Sequence, residues 1–212
     1  MDITAPAIPG PAYRVRTRRL ILRCWEPADA ALLKAAIDAN LEHLRPWMPW
    51  ADDEPQDLQA KIALLRQWRG KFDLGQDFVY GIFSADERHV LGSTGLHTRV
   101  GEGAREIGYW IDKDHLNRGL ATEDAAALTK VAFEIDAVQR VEIHCSPGNV
   151  RSAAVPRKLG FVHEATLRQR VPDTWGQRRD SMIWTLLAGE YWASAASKAE
   201  IQVYDAAGRR IM

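Results

Sequence analysis

The sequence has few of the features that mark secreted and membrane proteins. It contains only two cysteines, Cys24 and Cys145, in 212 residues, so we expect no disulfide framework and a reduced, cytoplasmic setting. No stretch approaches the ~20 consecutive apolar residues of a membrane helix. The first residues also lack the basic and apolar regions of a secretory signal. The sequence therefore predicts neither a membrane span nor secretion.

An excess of charge is also absent, because 28 Lys and Arg residues balance 28 Asp and Glu residues. Proteins that coat nucleic acid need surplus positive charge against the phosphates, so we expect no nucleic-acid partner. The six histidines show no His-x-x-x-His spacing, and we expect no metal site. What the chain does have is a 46% apolar fraction, which can fill the core of one domain of this length.

The pattern along the chain predicts one mixed domain over residues 14–190. Proline and glycine predict a flexible leader over 1–13, and the tail, 191–212, is either an extra hairpin or disordered. Apolar runs predict strands at about 18–23, 77–84, 89–98, 105–112, 139–145, 161–171 and 178–187, the last two joined across 172–177. Helical spacing predicts helices at about 27–39, 55–71, 119–133 and 149–158. An α+β domain with helices packed on a sheet follows.

The most informative segment is a strand that leads through a short turn into a helix. Unpaired N–H groups and the dipole at a helix N-terminus favour phosphate, and Gly119 and Ala121 allow close approach to the backbone. Alone, such a turn is more often a simple tight connection. The strand ends in Gly108, Tyr109, Trp110 and Ile111, and the turn and helix start are Asn117, Arg118, Gly119, Leu120, Ala121, Thr122 and Glu123.

Farther along, Asn149-x-x-Ser152 and Lys158-Leu159-Gly160-Phe161 complete a longer pattern. With the strand at 18–23, this pattern resembles the GCN5-related N-acetyltransferase (GNAT) superfamily, in its RimJ/RimL-like branch. The resemblance covers about residues 16–190 in order and spacing. It implies a GNAT-like fold, with a mostly antiparallel sheet of six to seven strands flanked by helices. The fourth and fifth strands of that fold splay into a V-shaped cleft.

The resemblance implies acetyl-CoA as cosubstrate, with its pyrophosphate on the turn and its pantetheine arm along the fourth strand. The chain departs from the family pattern at Leu116, where glutamine or arginine is common, a change for which Arg118 is a candidate replacement. Pro156 is a second departure, which predicts a shortened or kinked helix. The cofactor-binding residues implied are Trp110, Ile111, Asn117, Arg118, Gly119, Leu120, Ala121, Thr122, Asn149 and Ser152.

Four residues are candidates for acyl-transfer chemistry. Ser152 occupies the family position proposed for the proton donor to the leaving thiolate, although the same serine and Asn149 also fit plain helix-terminal roles. Glu106 is either the base for the amine or a glutamate paired with a neighbouring strand. Cys145 is a proximal catalytic group or, more simply, an inert strand-end thiol. Tyr109 is a second-rank candidate.

The acceptor side is predicted from the loop at 44–57 and from one strand histidine. Trp47 and Trp50 lie in this loop with several acids, a composition that suits a cationic amine or else ordinary loop packing and helix capping. His97 is a further substrate-side candidate, although a strand histidine is more often structural. The acids are Asp52, Asp53, Glu54 and Asp57.

These residues predict an N-acetyltransferase that moves an acetyl group from acetyl-CoA to a primary amine by direct attack in a ternary complex. The amine acceptor is a peptide N-terminus or a small molecule, and no residue separates the two. A donor such as succinyl-CoA, a catalytically weak CoA-binding sensor and a plain interaction protein are the alternatives. Relatives often dimerise, and Tyr191 with Trp192, or a hairpin at 201–211, is the expected homodimer interface.

Overall fold

Nine strands form one mixed sheet in a computed structural model that describes residues 11–172 and 178–212. They are β1 (Arg14–Arg16), β2 (Leu20–Cys24), β3 (Phe78–Ser84), β4 (Val90–His97), β5 (Ala104–Ile111), β6 (Arg140–Cys145), β7 (Val162–Pro172), β8 (Arg178–Leu187) and β9 (Gln202–Tyr204). Their order across the sheet is β7-β8-β6-β5-β4-β3-β2-β1-β9. All neighbours in this order are antiparallel except β5 and β6, which are parallel.

The helices flank this sheet, and local chemistry accounts for several of their ends. The Asp57 side chain accepts from the N–H of Ala60 at 2.7 Å and caps the second helix. The fourth helix ends at Gly160, whose φ of +90° is a left-handed conformation that glycine adopts without strain. The helices are α1 (Ala30–Leu44), α2 (Leu58–Asp73), α3 (Leu120–Glu134), α4 (Val150–Leu159) and the short α5 (Ala188–Tyr191).

The predicted α+β fold is confirmed, and the predicted strands and helices are observed with small shifts of their ends. The predicted count of six to seven strands is too low. β1 and β9 have three residues each, which is too short for alternation to be visible in the sequence. Both are held by pairing with each other and, for β1, with β2, so they depend on contacts far apart in the chain.

Strand alternation gives the sheet two distinct faces. Leu96, Ile107 and Val141 belong to the larger apolar cluster, which also contains the inner residues of α3 and α4. Phe83 and Trp110 point the other way, into a smaller cluster with residues of α1. We refer to these as the α3 face and the α1 face.

The described ends of the chain pair with each other at the sheet edge. Of the expected leader over 1–13, residues 1–10 lie outside the described residues, whereas Ala12 is buried. The N–H of Tyr13 donates to the carbonyl of Tyr204 at 2.9 Å, just before β1 pairs with β9. A bridge between Tyr204 and Arg210 turns the tail back on itself.

The predicted homodimer interface loses one of its two aromatic residues. Tyr191 is buried, and its ring stacks on Phe133 with 4.7 Å between centroids, so it belongs to the core. Trp192 is 72% exposed, and a homodimer through this residue or through the tail at 201–211 stays a prediction.

None of the helices in the described ranges combines the length and apolar character that membrane crossing requires. The predicted turn between β7 and β8 falls mainly on 173–177, which lie outside the described residues.

A buried acid lies between α3 and the sheet. Asp124 is fully buried, and its carboxylate oxygens have no hydrogen-bond partner among the described residues. The hydroxyl of Thr94 in β4 faces it without completing a hydrogen bond. Burial raises the pKa of Asp124 to about 8, and Thr94 offsets only part of this effect. Asp124 is therefore uncharged at neutral pH.

Replacing Asp124 by asparagine should stabilise the protein most at high pH. In the folded state Asp124 keeps a proton that the unfolded chain loses above about pH 4, so the free energy of unfolding falls as pH rises towards 8, by at most ~1.4 kcal/mol per pH unit. Asparagine does not titrate. Urea unfolding should show the advantage of Asp124→Asn over the unmodified chain growing by ~1 kcal/mol or more between about pH 5 and pH 8. An equal advantage at both pH values would contradict a neutral Asp124.

Candidate active site

The cleft begins where β5 and β6 stop pairing. The two parallel strands are in register over three pairs, the last of which is Glu106 opposite Glu142. Beyond this pair β5 continues to Ile111 and β6 to Cys145, and in this described part of the chain the two strands share no further pairs. The backbone edge of β5 that faces β6, from Gly108 onward, is therefore available to an extended ligand. The resemblance implies the cleft at this place, because β5 and β6 are the fourth and fifth of the predicted strands.

The N-terminus of α3 lies beyond the end of this edge. Asn117 and Gly119 have φ values of +59° and +77°, and the turn that they form is exposed. The first N–H groups of α3, from Leu120 to Thr122, have no acceptor within the helix and coincide with the positive end of its dipole. These amides suit a pyrophosphate.

Glu123 fixes this turn to the connection between β1 and β2. Its carboxylate accepts from the Thr17 hydroxyl at 2.6 Å and from Nε and the backbone N–H of Arg19 at 2.6 and 2.9 Å. The Arg19 guanidinium also donates to the carbonyl of Arg118 at 2.8 Å. Sequence reasoning included Glu123 in the motif and Arg19 in the opening strand without connecting them, and it missed Thr17, because Thr17 and Arg19 are remote from Glu123 along the chain.

The departure at Leu116 has little effect on the turn. Leu116 packs against the larger apolar cluster, and this contact anchors the loop on the side that faces the core. Arg118 is exposed and donates to the carbonyl of Asp114 at 2.9 Å. Its guanidinium is consequently held beside the turn, where a phosphate would bind.

Helix α4 and strand β5 together place a pair of hydroxyl groups beside the cleft. The Asn149 side chain accepts from the N–H of Ser152 at 3.1 Å, so the helix-capping role is observed. The Ser152 hydroxyl lies 3.2 Å from the hydroxyl of Tyr109, which β5 directs onto the α3 face. Burial raises the pKa of Tyr109 above its ordinary value, an effect that the bond to Ser152 only partly offsets. Both hydroxyls therefore retain their protons at neutral pH.

Pro156 explains why Tyr109 also bonds to the helix backbone. Proline has no N–H, so the carbonyl of Ser152, four residues earlier, lacks its normal donor within α4. The Tyr109 hydroxyl lies 3.3 Å from that carbonyl and donates to it. The expected shortening of the helix is wrong, because α4 continues through Pro156 to Leu159 with this substitute bond.

Cys145 ends β6 close to Ser152. It is a free, half-buried thiol. Burial raises its pKa above the ordinary value, and the neighbouring Ser152 hydroxyl offsets only part of the rise. A thiol with a raised pKa is a poor nucleophile and a poor base at neutral pH.

Glu106 has a full ion-pair partner. It is buried, and Arg99 donates to its two oxygens at 2.8 and 2.5 Å. Burial raises the pKa of Glu106, but the Arg99 guanidinium and nearby His144 outweigh it and leave the pKa below its ordinary range. His144 in turn lies 2.6 Å from Glu142. Of the two expected roles, this environment favours charge pairing over proton abstraction.

His97 ends β4 directly opposite Glu106. Its Nδ1 lies 3.0 and 3.1 Å from the two carboxylate oxygens of Asp77, which immediately precedes β3. Alternation places the His97 ring on the α1 face, because its neighbour Leu96 belongs to the cluster on the α3 face. Sequence reasoning missed Asp77 altogether.

The large apolar residues predicted on the cofactor and acceptor sides differ in their burial. The side chains of Trp110 and Ile111 are buried in the smaller and larger clusters, respectively, so only their backbone borders the cleft. Trp47 is half-buried, and its carbonyl accepts from Arg179 of β8 at 2.6 Å. Trp50 is 38% exposed. The loop that carries both tryptophans is thereby fastened to the strand next to β6.

The acids of the same loop differ in whether their carboxylates are already bound. Glu54 is buried and paired with the fully buried Lys61, and Asp57 is the cap of α2. Neither carboxylate is free for a ligand. Asp52 and Asp53 are exposed and remain the acids that an amine on this side could meet.

Comparison with known proteins supports the acetyltransferase resemblance that the sequence motifs carry. The sequence profile of the Acetyltransferase (GNAT) domain matches residues 19–162. The chain is 26% identical to the [Ribosomal protein uS5]-alanine N-acetyltransferase of Escherichia coli over 186 residues, which cover 85% of this chain and 94% of the relative. It is 27% identical to the ribosomal-protein-serine acetyltransferase of Escherichia coli over 128 residues, 59% of this chain and 71% of the relative. The solved structure of Mycobacterium smegmatis RimJ in complex with CoA-disulfide is similar with a TM-score of 0.76 and 25% identity, covering 89% of this chain and 93% of that one.

The bond between Tyr109 and the Ser152 carbonyl should depend on Pro156. Pro156→Ala supplies an N–H that competes for this carbonyl, so Tyr109→Phe should destabilise the protein less in the Pro156→Ala background than in the unmodified chain. We expect a coupling of about 0.5–1.5 kcal/mol, the net worth of one hydrogen bond. Urea unfolding of the four proteins of this double-mutant cycle measures it. Strictly additive effects would show that the two sites are independent.

Proposed function

This chain belongs to the GNAT acetyltransferase family, and on that premise we propose that it transfers an acetyl group from acetyl-CoA to a primary amine by direct attack in a ternary complex. The family takes its acetyl group from acetyl-CoA. The observation that carries the proposal is the early end of the β5–β6 pairing after Glu106, next to the exposed N-terminus of α3. Together they offer a linear series of backbone donors and acceptors for one extended, anionic thioester.

The residues that would hold acetyl-CoA follow from these two features. The amides of Leu120–Thr122 would bind the pyrophosphate, and the absence of a side chain at Gly119 leaves them accessible. The free edge of β5 from Gly108 to Ile111 would bind the pantetheine arm as an additional strand would. An N–H on the same edge would donate to the thioester oxygen as negative charge develops on it.

The hydroxyl pair on the α3 face supports a role as proton donor. Ser152 and Tyr109 lie 3.2 Å apart, and both remain protonated at neutral pH. A thiolate that leaves beside them would receive a hydrogen bond and then a proton. Cys145, which is near Ser152 but has a raised pKa, is proposed as a packing residue of this pocket and not as a covalent intermediate.

The charges around the cleft favour an acetyl donor over succinyl-CoA. A succinyl carboxylate needs an unpaired cation, whereas Arg99 is paired with Glu106. Arg168 and Arg170 are exposed on β7, which β8 separates from β6 and the cleft.

The acceptor that we propose is the N-terminal α-amine of a protein. The supporting observation is the similarity, over 85% of this chain, to an enzyme whose name specifies a ribosomal-protein alanine. A screen should compare peptides with free and acetylated N-termini and a panel of small-molecule amines, with product masses as the readout. A gain of one acetyl group on the free N-termini is expected. Acetylation of small amines alone would move the proposal to a small-molecule acceptor.

Replacing Ser152 by alanine should lower turnover about tenfold or more, because it removes a proton donor to the leaving thiolate. Release of the CoA thiol with the best acceptor measures turnover, and calorimetry with acetyl-CoA measures binding, which should change little. The matched control is Cys145→Ala, which alters the same pocket and should have a milder effect.

Two results would contradict this assignment. Unchanged turnover in Ser152→Ala would remove Ser152 from the mechanism, and complete loss in a folded Cys145→Ala would reopen the covalent route. Tight acetyl-CoA binding without thiol release for any amine would instead indicate the CoA-binding sensor. A melting temperature that CoA does not raise would indicate a plain interaction protein.

A further inference from the structure

A histidine and an aspartate form a dyad on the α1 face, beside the free edge of β5. His97 Nδ1 lies within 3.1 Å of both carboxylate oxygens of Asp77. An ionised carboxylate only accepts hydrogen bonds, so Nδ1 carries the ring proton and Nε2 keeps its lone pair. Nε2 has no hydrogen-bond partner among the described residues, and the side chain is 18% exposed. The dyad therefore presents a free base nitrogen.

Two glycines determine where that nitrogen lies. Gly95 of β4 and Gly108 of β5 are register partners and share the α1 face with His97. A Cβ on Gly95 would come within 2.7 Å of His97 Nε2, and a Cβ on Gly108 would lie 3.5 Å from it. The imidazole thus lies along the sheet above the glycine pair. Its Nε2 is next to the part of β5 that β6 no longer covers.

The other titratable groups near this position are already engaged. Glu106 is held by Arg99 through both oxygens. His144 is bound at Nε2 to Glu142 at 2.6 Å, and its Nδ1 lies 3.7 Å from Glu106. Among these described groups, His97 is the base with an unengaged nitrogen.

We propose that His97 is the general base of the acetyl transfer and that Asp77 is its positioning residue, an inference that rests on the proposed function. His97 Nε2 takes a proton from the amine nitrogen, and the nitrogen lone pair forms the C–N bond to the thioester carbonyl carbon. The C–S bond then breaks and its electron pair stays on sulfur. Tyr109 and Ser152, on the opposite face of β5, supply the proton that converts the thiolate to a thiol. The imidazolium of His97 then loses its proton to solvent, and the hydroxyl pair takes a proton from solvent.

The surrounding charges favour this direction of proton transfer. Burial raises the pKa of Asp77, but the hydrogen bonds from His97 and from the N–H of Thr98, together with the Arg99 guanidinium, outweigh it and leave the pKa below its ordinary range. Asp77 is therefore an anion next to the imidazolium that forms. Glu106, the register partner of His97 on β5, is neutralised by its ion pair with Arg99, so Asp77 is the carboxylate that faces the ring directly.

The first test compares His97→Gln with His144→Gln, a matched control for loss of an imidazole in the same charged cluster. Thiol release with the best acceptor should give a kcat/KM at pH 7 at least ~100-fold lower for His97→Gln, in the range of general-base contributions. We expect His144→Gln to lose less than ~5-fold. Melting temperature and acetyl-CoA affinity should match the unmodified chain for His97→Gln. A kcat/KM for this variant within ~3-fold of the unmodified chain would overturn the proposal.

The second test separates base catalysis from packing through the pH profile. The acid limb of kcat/KM against pH should become less steep in His97→Gln, because one ionisation is lost while that of the acceptor amine remains. In Asp77→Asn, which keeps the shape of the partner but not its charge, the limb should shift, with a loss of about tenfold at pH 7. Retention of the unmodified profile in both variants would overturn the dyad.

A third measurement does not require turnover. Nitrogen-15 NMR of the unmodified chain should show the His97 ring protonated at Nδ1 at neutral pH and a mixture of tautomers in Asp77→Asn. An Nε2-protonated ring in the unmodified chain would overturn the dyad alone. Absence of thiol release by the unmodified chain with every amine, combined with the expected NMR spectra, would instead overturn the proposed function and, with it, the catalytic role of His97.

Discussion

The early end of the pairing between β5 and β6 is the constraint on which the rest of the site depends. Three paired positions, the last at Glu106 and Glu142, hold the two parallel strands together, and beyond them each strand follows its own neighbour. An unpaired strand edge is normally unfavourable, because its N–H and C=O groups need partners. Here the edge is confined to the interior of the sheet. It is therefore protected from other chains and accessible only to a narrow ligand.

Much of the fold could be predicted because its signals are local. Changes in period from helix to strand, together with caps such as Asp57 and Asn149 and the glycine at the end of α4, are contained in short windows of sequence. The turn before α3 and the Asn149–Ser152 pair were found for the same reason. In each case the residues that act together are separated by a few positions, so a short motif contains them, and the resemblance to the GNAT superfamily gives that motif its meaning.

The rest depends on pairings that spacing does not reveal. β1 and β9 lie at opposite ends of the chain and pair with each other, and β1 also pairs with β2. Asp77 and His97 are twenty residues apart, and the free Nε2 is recognisable only once the register sets Gly95 against Gly108. The sequence shows Pro156 as an irregularity of the helix, but the bond that replaces its missing N–H is visible only from the position of Tyr109. These contacts depend on how the strands pair in the sheet, so no single segment of the sequence reveals them.

The two faces of β5 present different chemical groups to the site. Alternation along one strand sends Tyr109 to the α3 face, where it meets Ser152, and leaves Gly108 flat on the α1 face, beneath the imidazole of His97. The proposed proton donor and the proposed proton acceptor would thereby lie on opposite sides of the strand edge, where they cannot exchange a proton directly. A substrate bonded to that edge would be approached from both sides at once. The balanced charge of the whole chain is compatible with this arrangement. Ion pairs such as that of Glu106 with Arg99 neutralise the carboxylates around the cleft. The groups proposed to transfer protons there are uncharged.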